Sequence, residues 1–269
     1  MIPAPFDYVA ARTPEHALEL LASKGEDAKP LAGGHSLLPM MKLRLAAPSV
    51  LIDIGRLSEL AGIRADGDDL VIGATTCHAD LAASDLARAE APLLAHAAGQ
   101  VGDPQIRHRG TIGGSLAHAD PAADLPLAVL ALGASIELTG PAGVRVVAAD
   151  DFFTGFFETA VDPGELLTAI RVPRRPGVGW GYQKFVRRAN DWAIVGVAAV
   201  GGRIALANMG PTPLRARAAE RALADGASPA EAARLAAEGT HPGEDIHADP
   251  GYRQHLARVL TRRALEACG

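Results

Sequence analysis

The sequence predicts an α+β fold, and three observations carry that expectation. Strand-like apolar segments alternate with helix-like ones through the first part of the chain. A stretch rich in proline and charge, Pro173-Arg174-Arg175-Pro176-Gly177, then interrupts the pattern. After it, three strand candidates precede three helix candidates, the order of an α+β unit. The interruption divides the 269 residues into units of 1–176 and 177–269, with length enough for a sizeable apolar core.

In chain order, Thr13 as N-cap and Pro14 at the first helical position predict a helix, with Ala17, Leu18 and Leu21 as its apolar stripe. Lys29 to Ala32 is a short strand leading into a glycine doublet. Val50 to Ile54 and Asp69 to Ala74 are further strands, and alanine-rich helical segments run from His78 to Ala98. Gly99 to Gly110, with three glycines and Pro104, is expected to be an ordered loop. Leu125 to Leu132 is a short buried helix. Ala134 to Leu138 and Val144 to Val147 form a hairpin across Gly140-Pro141-Ala142-Gly143, and Glu165 to Val172 is one more strand. Beyond the boundary come strands at Gly181–Arg187, Ile194–Val200 and Arg203–Asn208, the last two joined by Gly201-Gly202. Of the three closing helices, one carries the capping box Ser228-Pro229-Ala230-Glu231 and the last spans roughly Tyr252 to Ala267.

Two glycine doublets mark the candidate site. Ala32-Gly33-Gly34-His35-Ser36 and Thr111-Ile112-Gly113-Gly114-Ser115 lie about eighty positions apart. Each is expected to offer consecutive backbone N–H groups unobstructed by side chains, with a serine hydroxyl beyond. Two such nests suit a ligand with adjacent phosphates, such as a dinucleotide. The chain lacks both Gly-x-Gly-x-x-Gly opening a helix and Gly-x-x-x-x-Gly-Lys-Ser/Thr, which weakens the Rossmann and nucleoside-triphosphatase readings. A net charge of −5 and 4% aromatic residues argue against nucleic acid as a partner. Two cysteines, Cys77 and Cys268, are too few for a structural zinc site or an iron–sulfur cluster, and fit a reducing compartment. With no secretory signal and no apolar run long enough to span a bilayer, a cytoplasmic location is expected, any membrane association coming through partners.

The residues also carry a family resemblance. Ala32 to Arg44, reading AGGHSLLPMMKLR, resembles the first flavin motif of the FAD-binding medium subunits of molybdenum hydroxylases, the carbon monoxide dehydrogenase and xanthine dehydrogenase type. Arg107 to Ala117, reading RHRGTIGGSLA, resembles the second, and Asp120 to Pro126 continues it. The resemblance implies a two-lobed α/β FAD-binding domain of the PCMH/vanillyl-alcohol-oxidase-like kind, with lobes of about 1–54 and 55–176. It implies a C-terminal domain with a three-stranded sheet and helices. It implies FAD extended between the lobes, its flavin toward the C-terminal domain, and the pyrophosphate on Ala32, Gly33, Gly34, His35, Ser36 and Leu37 and on Thr111, Gly113, Gly114 and Ser115. By position Asp124 matches an acidic residue contacting the cofactor, and Leu167 and Lys184 match positions lining the flavin end. Trp192 stands where the carbon monoxide enzymes have a tyrosine near the flavin face, and His118 where relatives have asparagine or threonine.

The implied role is electron transfer through FAD, with no catalytic acid–base pair in this chain. The implied partners are a large molybdopterin subunit and a small [2Fe-2S] subunit in a dimer of heterotrimers. Two other readings stand beside it: a self-contained FAD-dependent oxidase and a flavin-free assembly subunit.

Overall fold

The computed structural model describes residues 2–269. Its first sheet is parallel, in the order β1 (Asp7–Ala10), β3 (Val50–Asp53), β2 (Ala28–Leu31). The helix Pro14–Lys24 connects β1 to β2 and buries Ala17 and Leu21 against it, as its capped start predicts. Thr13 accepts from His16 N, so the cap is made. Strand β1 was not expected. It is a mostly exposed edge strand, so it carries no alternating apolar signal.

The second sheet is antiparallel. It takes the order β4 (Ile63–Asp66), β5 (Asp69–Gly73), β10 (Leu166–Pro173), β6 (Ser135–Gly140), β7 (Gly143–Ala148), with the small hairpin β8 (Phe153–Gly155) and β9 (Glu158–Thr159) beside it. The expected hairpin is β6–β7, and the last strand of this unit, β10, sits at the centre of the sheet between two strands that precede it by many residues. The helices His78–Ala83, Asp85–Glu90 and Pro92–Gly99 pack on the sheet. The predicted loop 99–110 is a correction: Pro104–Arg107 forms a helical turn. Asp103 Oδ1 accepts from Ile106 N at 2.9 Å and Pro104 takes the first helical position, a start signal that outweighs the glycines.

All nine residues of the helix Asp124–Leu132 are buried. It runs between the second sheet and a third, antiparallel one: β11 (Trp180–Phe185), β12 (Val195–Val200), β13 (Arg203–Ala207), β14 (Leu214–Arg215). The three expected strands are thus joined by a two-residue fourth. Alternation explains the apolar run at 193–200. Ala198 and Val200 pack toward the central helix, whereas Val195, Val197 and Ala199 pack toward the helices Arg217–Ala224 and Pro250–Glu266. Both faces of β12 are therefore buried. The capping box forms as predicted: Ser228 Oγ accepts from Glu231 N, and the Glu231 carboxylate accepts from Ser228 N. Among the described residues, no helix is long and apolar enough to cross a membrane.

Candidate functional site

The first glycine motif turns the chain out of β2 and into the helix Leu37–Lys42. Gly34 has φ +77°, which favours glycine, and its carbonyl accepts from Leu38 N at 3.0 Å. Gly33 has no room for a side chain, because a Cβ there would stand 2.2 Å from the carbonyl oxygen of Arg109. The N–H groups of Gly33, Gly34, His35, Ser36 and Leu37 have no acceptor among the described residues. A run of unpaired donors on a half-buried turn can cradle an anion.

The second motif differs from expectation, and the difference is a correction. Ile112–His118 is a helix capped by Thr111, whose Oγ1 accepts from Gly114 N at 3.1 Å. Ile112 N donates to Thr76 O, Gly113 N to Ala74 O and Ser115 N to Thr111 O. The N–H groups of this doublet are therefore spent inside the protein. Gly113 is required by close packing, since a Cβ there would lie 2.6 Å from Ala74 Cβ and 2.7 Å from Ala74 O. Gly114 is exposed and would meet only Thr111 Oγ1, at 2.8 Å. The motif offers a smooth glycine surface and the Ser115 hydroxyl, not a second N–H cradle.

The two motifs meet where Gly33 rests on Gly110, and they form one wall of a cavity of about 760 Å³. All the expected site residues line this cavity: Ala32, Gly33, Gly34, His35, Ser36, Leu37, Thr111, Gly113, Gly114, Ser115, Asp124, Leu167, Lys184 and Trp192. They come from elements of all three sheets and from the central helix. Trp192 is 58% exposed, so its indole stands at the cavity mouth instead of in the core. His118, the other departure from the family pattern, also lines the cavity, its ring 4.9 Å from that of Phe157.

Asp124 is the electrostatic centre. It opens the central helix, where the macrodipole favours a carboxylate. It accepts hydrogen bonds from the Tyr182 hydroxyl and from Lys184 Nζ, the latter at 2.9 Å. Lys184 Nζ also donates to Gln100 O at 3.1 Å. Burial pushes the Asp124 carboxyl above the usual carboxylate range, against the opposing pull of Lys184 and Tyr182. Burial, reinforced by the Asp124 charge, raises the Tyr182 phenol well above its ordinary value, so it stays a donor. The cluster ties the central helix to β11 across the boundary between the two halves of the chain.

Sequence reasoning missed Thr75, His78 and Phe157, which also line the cavity. Thr75 Oγ1 and His78 Nδ1 are buried without a partner. Phe157, at φ +58°, brings an exposed aromatic ring to the wall. The site fits a flavin dinucleotide: the volume is that of a large ligand cleft, the free N–H run suits phosphate oxygens, and orphaned polar side chains remain for hydroxyls.

Residues 4–175 match the family profile of the FAD binding domain in molybdopterin dehydrogenase, and residues 180–268 that of the CO dehydrogenase flavoprotein C-terminal domain. The chain is 45% identical to the carbon monoxide dehydrogenase medium chain of Hydrogenophaga pseudoflava over 281 aligned residues, covering 99% of this chain and 98% of that one. It is 30% identical to the xanthine dehydrogenase FAD-binding subunit of Escherichia coli O157:H7, covering 96% and 94%. The solved carbon monoxide dehydrogenase from Hydrogenophaga pseudoflava that lacks the Mo-pyranopterin moiety superposes with a TM-score of 0.96 at 48% identity, over 100% of this chain and 98% of that one. Quinoline 2-oxidoreductase from Pseudomonas putida 86 superposes with a TM-score of 0.93 at 35% identity, over 100% and 98%.

Proposed function

The chain belongs to the family of FAD-binding subunits of molybdopterin dehydrogenases, the carbon monoxide dehydrogenase and xanthine dehydrogenase type, and on that premise we propose that it is the electron-exit subunit of a multi-subunit complex. FAD is its cofactor. In this reading electrons released at a molybdenum centre on a large subunit pass through [2Fe-2S] clusters of a small subunit. They leave through this subunit's FAD to an external acceptor, within a dimer of heterotrimers. Residues 1–176 form the FAD-binding domain and 177–269 close it on one side. The observation that carries the reading is the single cavity that gathers both glycine motifs, the Asp124–Lys184 pair and Trp192. Support also comes from the relatives, which are named as one chain or subunit among others. Two cysteines are too few to ligate clusters in this chain, so electrons must come from elsewhere.

Bound FAD supplies the redox chemistry, and the protein supplies binding, orientation and electrostatics. The free N–H groups from Gly33 to Leu37 would hold the phosphates, with Ala32 shaping the approach. Gly114 and Ser115 border the same groups from the second motif, while Thr111 and Gly113 fix that motif in place. Asp124 and Lys184 present an ion pair to the cavity, and Leu167 and Trp192 would give apolar surface to the flavin ring.

The test uses the complex purified with its native partners. With FAD removed, substrate should still bleach the iron–sulfur absorption, whereas reduction of the external acceptor should stop and return when FAD is restored. Acceptor reduction at the native rate without FAD would contradict the role. Substrate oxidation at full rate by this chain alone, free of metal, would replace it with a self-contained oxidase.

A further inference from the structure

His78 is a buried polar side chain that neither the fold nor the family motifs explain. It opens the helix His78–Ala83, is 4% exposed and lines the cavity. Its backbone N–H donates to Gly110 O at 2.9 Å, which holds the residue against the second motif. The ring packs on Gly110: a Cβ there would stand 2.8 Å from both Nε2 and Cδ2. Gly110 is also the residue on which the first motif rests, a Cβ on Gly33 falling 2.8 Å from its Cα. The imidazole therefore lies directly behind the seam where the two motifs meet, close to the unpaired N–H groups. Neither ring nitrogen has a partner among the described residues, and Nδ1 is sealed in the wall. A purely apolar ring would fill this space without two unmade hydrogen bonds.

We propose that His78 is a cofactor-binding residue whose Nε2–H donates to a pyrophosphate oxygen of the dinucleotide held at this seam. The assignment rests on the reading of the cavity as the FAD site. A sealed nitrogen without a partner is tolerated better as a lone pair than as an orphaned N–H, which puts the proton on Nε2. Burial, with the fields of His35 and Arg107 in the same direction, holds the ring's pKa down at about 4, so the residue is a neutral donor. Thr75, three residues before His78, adds its unpartnered hydroxyl to this wall.

The experiment compares the full chain with His78→Phe, which keeps a ring against Gly110 and removes both nitrogens. FAD titration should show affinity about 10- to 100-fold weaker in the variant, the loss of one hydrogen bond to a charged group. The ³¹P resonances of bound FAD should move. Affinity within twofold of the original and coincident ³¹P resonances would make His78 a packing residue and overturn the assignment. If circular dichroism shows the variant unfolded, ¹⁵N-histidine NMR of the unaltered chain decides. An Nε2–H resonance that shifts when FAD is added supports the proposal, and one that stays fixed, or a proton on Nδ1, overturns it. An unaltered chain that binds no FAD overturns the cavity reading as well, so the two failures are distinguishable.

Discussion

At the scale of single residues, burial of titratable groups ties this protein's stability to pH, and His78 gives the cleanest case. Its folded pKa of about 4 lies below the ordinary 6.5 because desolvation disfavours the imidazolium. The unfolded chain binds a proton first as pH falls, so the stability contributed above pH 6.5 is lost down to about pH 4 and the loss is constant below. The shift corresponds to about 3 kcal/mol. Urea unfolding at pH 7 and pH 4 should therefore show the unaltered chain losing about 3 kcal/mol more than His78→Phe. Parallel losses in the two proteins would mean that the ring protonates as freely folded as unfolded. Asp124, whose raised pKa acts with the opposite sign, is present in both proteins and cancels from the comparison.

At the scale of elements, the two glycine doublets look alike in sequence and do different work. The first is an open cradle. The second is the first turn of a helix, its donors taken by Thr76, Ala74 and Thr111. Substitution should separate packing from binding. Gly113→Ala forces a Cβ against the Ala74 backbone and should cost about 2 kcal/mol with a matching fall in Tm. Gly114→Val, facing the cavity, should keep the fold by circular dichroism and weaken FAD at least about tenfold, as blocked approach to a charged ligand does. Loss of the fold in Gly114→Val with tolerance at Gly113→Ala would reverse the assignment.

The second doublet's true nature was legible, since Thr111 stands three residues before Gly114, the spacing of an N-cap. Asp103-Pro104 carries the same kind of start signal amid its glycines. The central helix, the hairpin β6–β7 and the capping box were readable because each has a local cause. The edge strands β1 and β4 were not, because exposed strands carry no alternation. Thr75 and His78 gave no signal either: both line the cavity only once the chain is folded, His78 against Gly110, about thirty residues away.

At the scale of the whole molecule, three sheets and one fully buried helix converge on a single cavity, whose wall keeps polar groups unpaired. The free donors run from Gly33 to Leu37, whereas Ile112 to Ser115 are already paired without any ligand. The two motifs should therefore answer cofactor binding differently, although both line the cavity. Hydrogen–deuterium exchange on the full chain, with and without FAD, reads that difference directly. FAD should bring strong new protection over Gly33–Leu37 and small change over Ile112–Ser115, whose amides are protected beforehand. Unchanged exchange at Gly33–Leu37 in FAD-saturated protein, or new protection confined to Ile112–Ser115, would contradict the assignment of the cradle to the first motif.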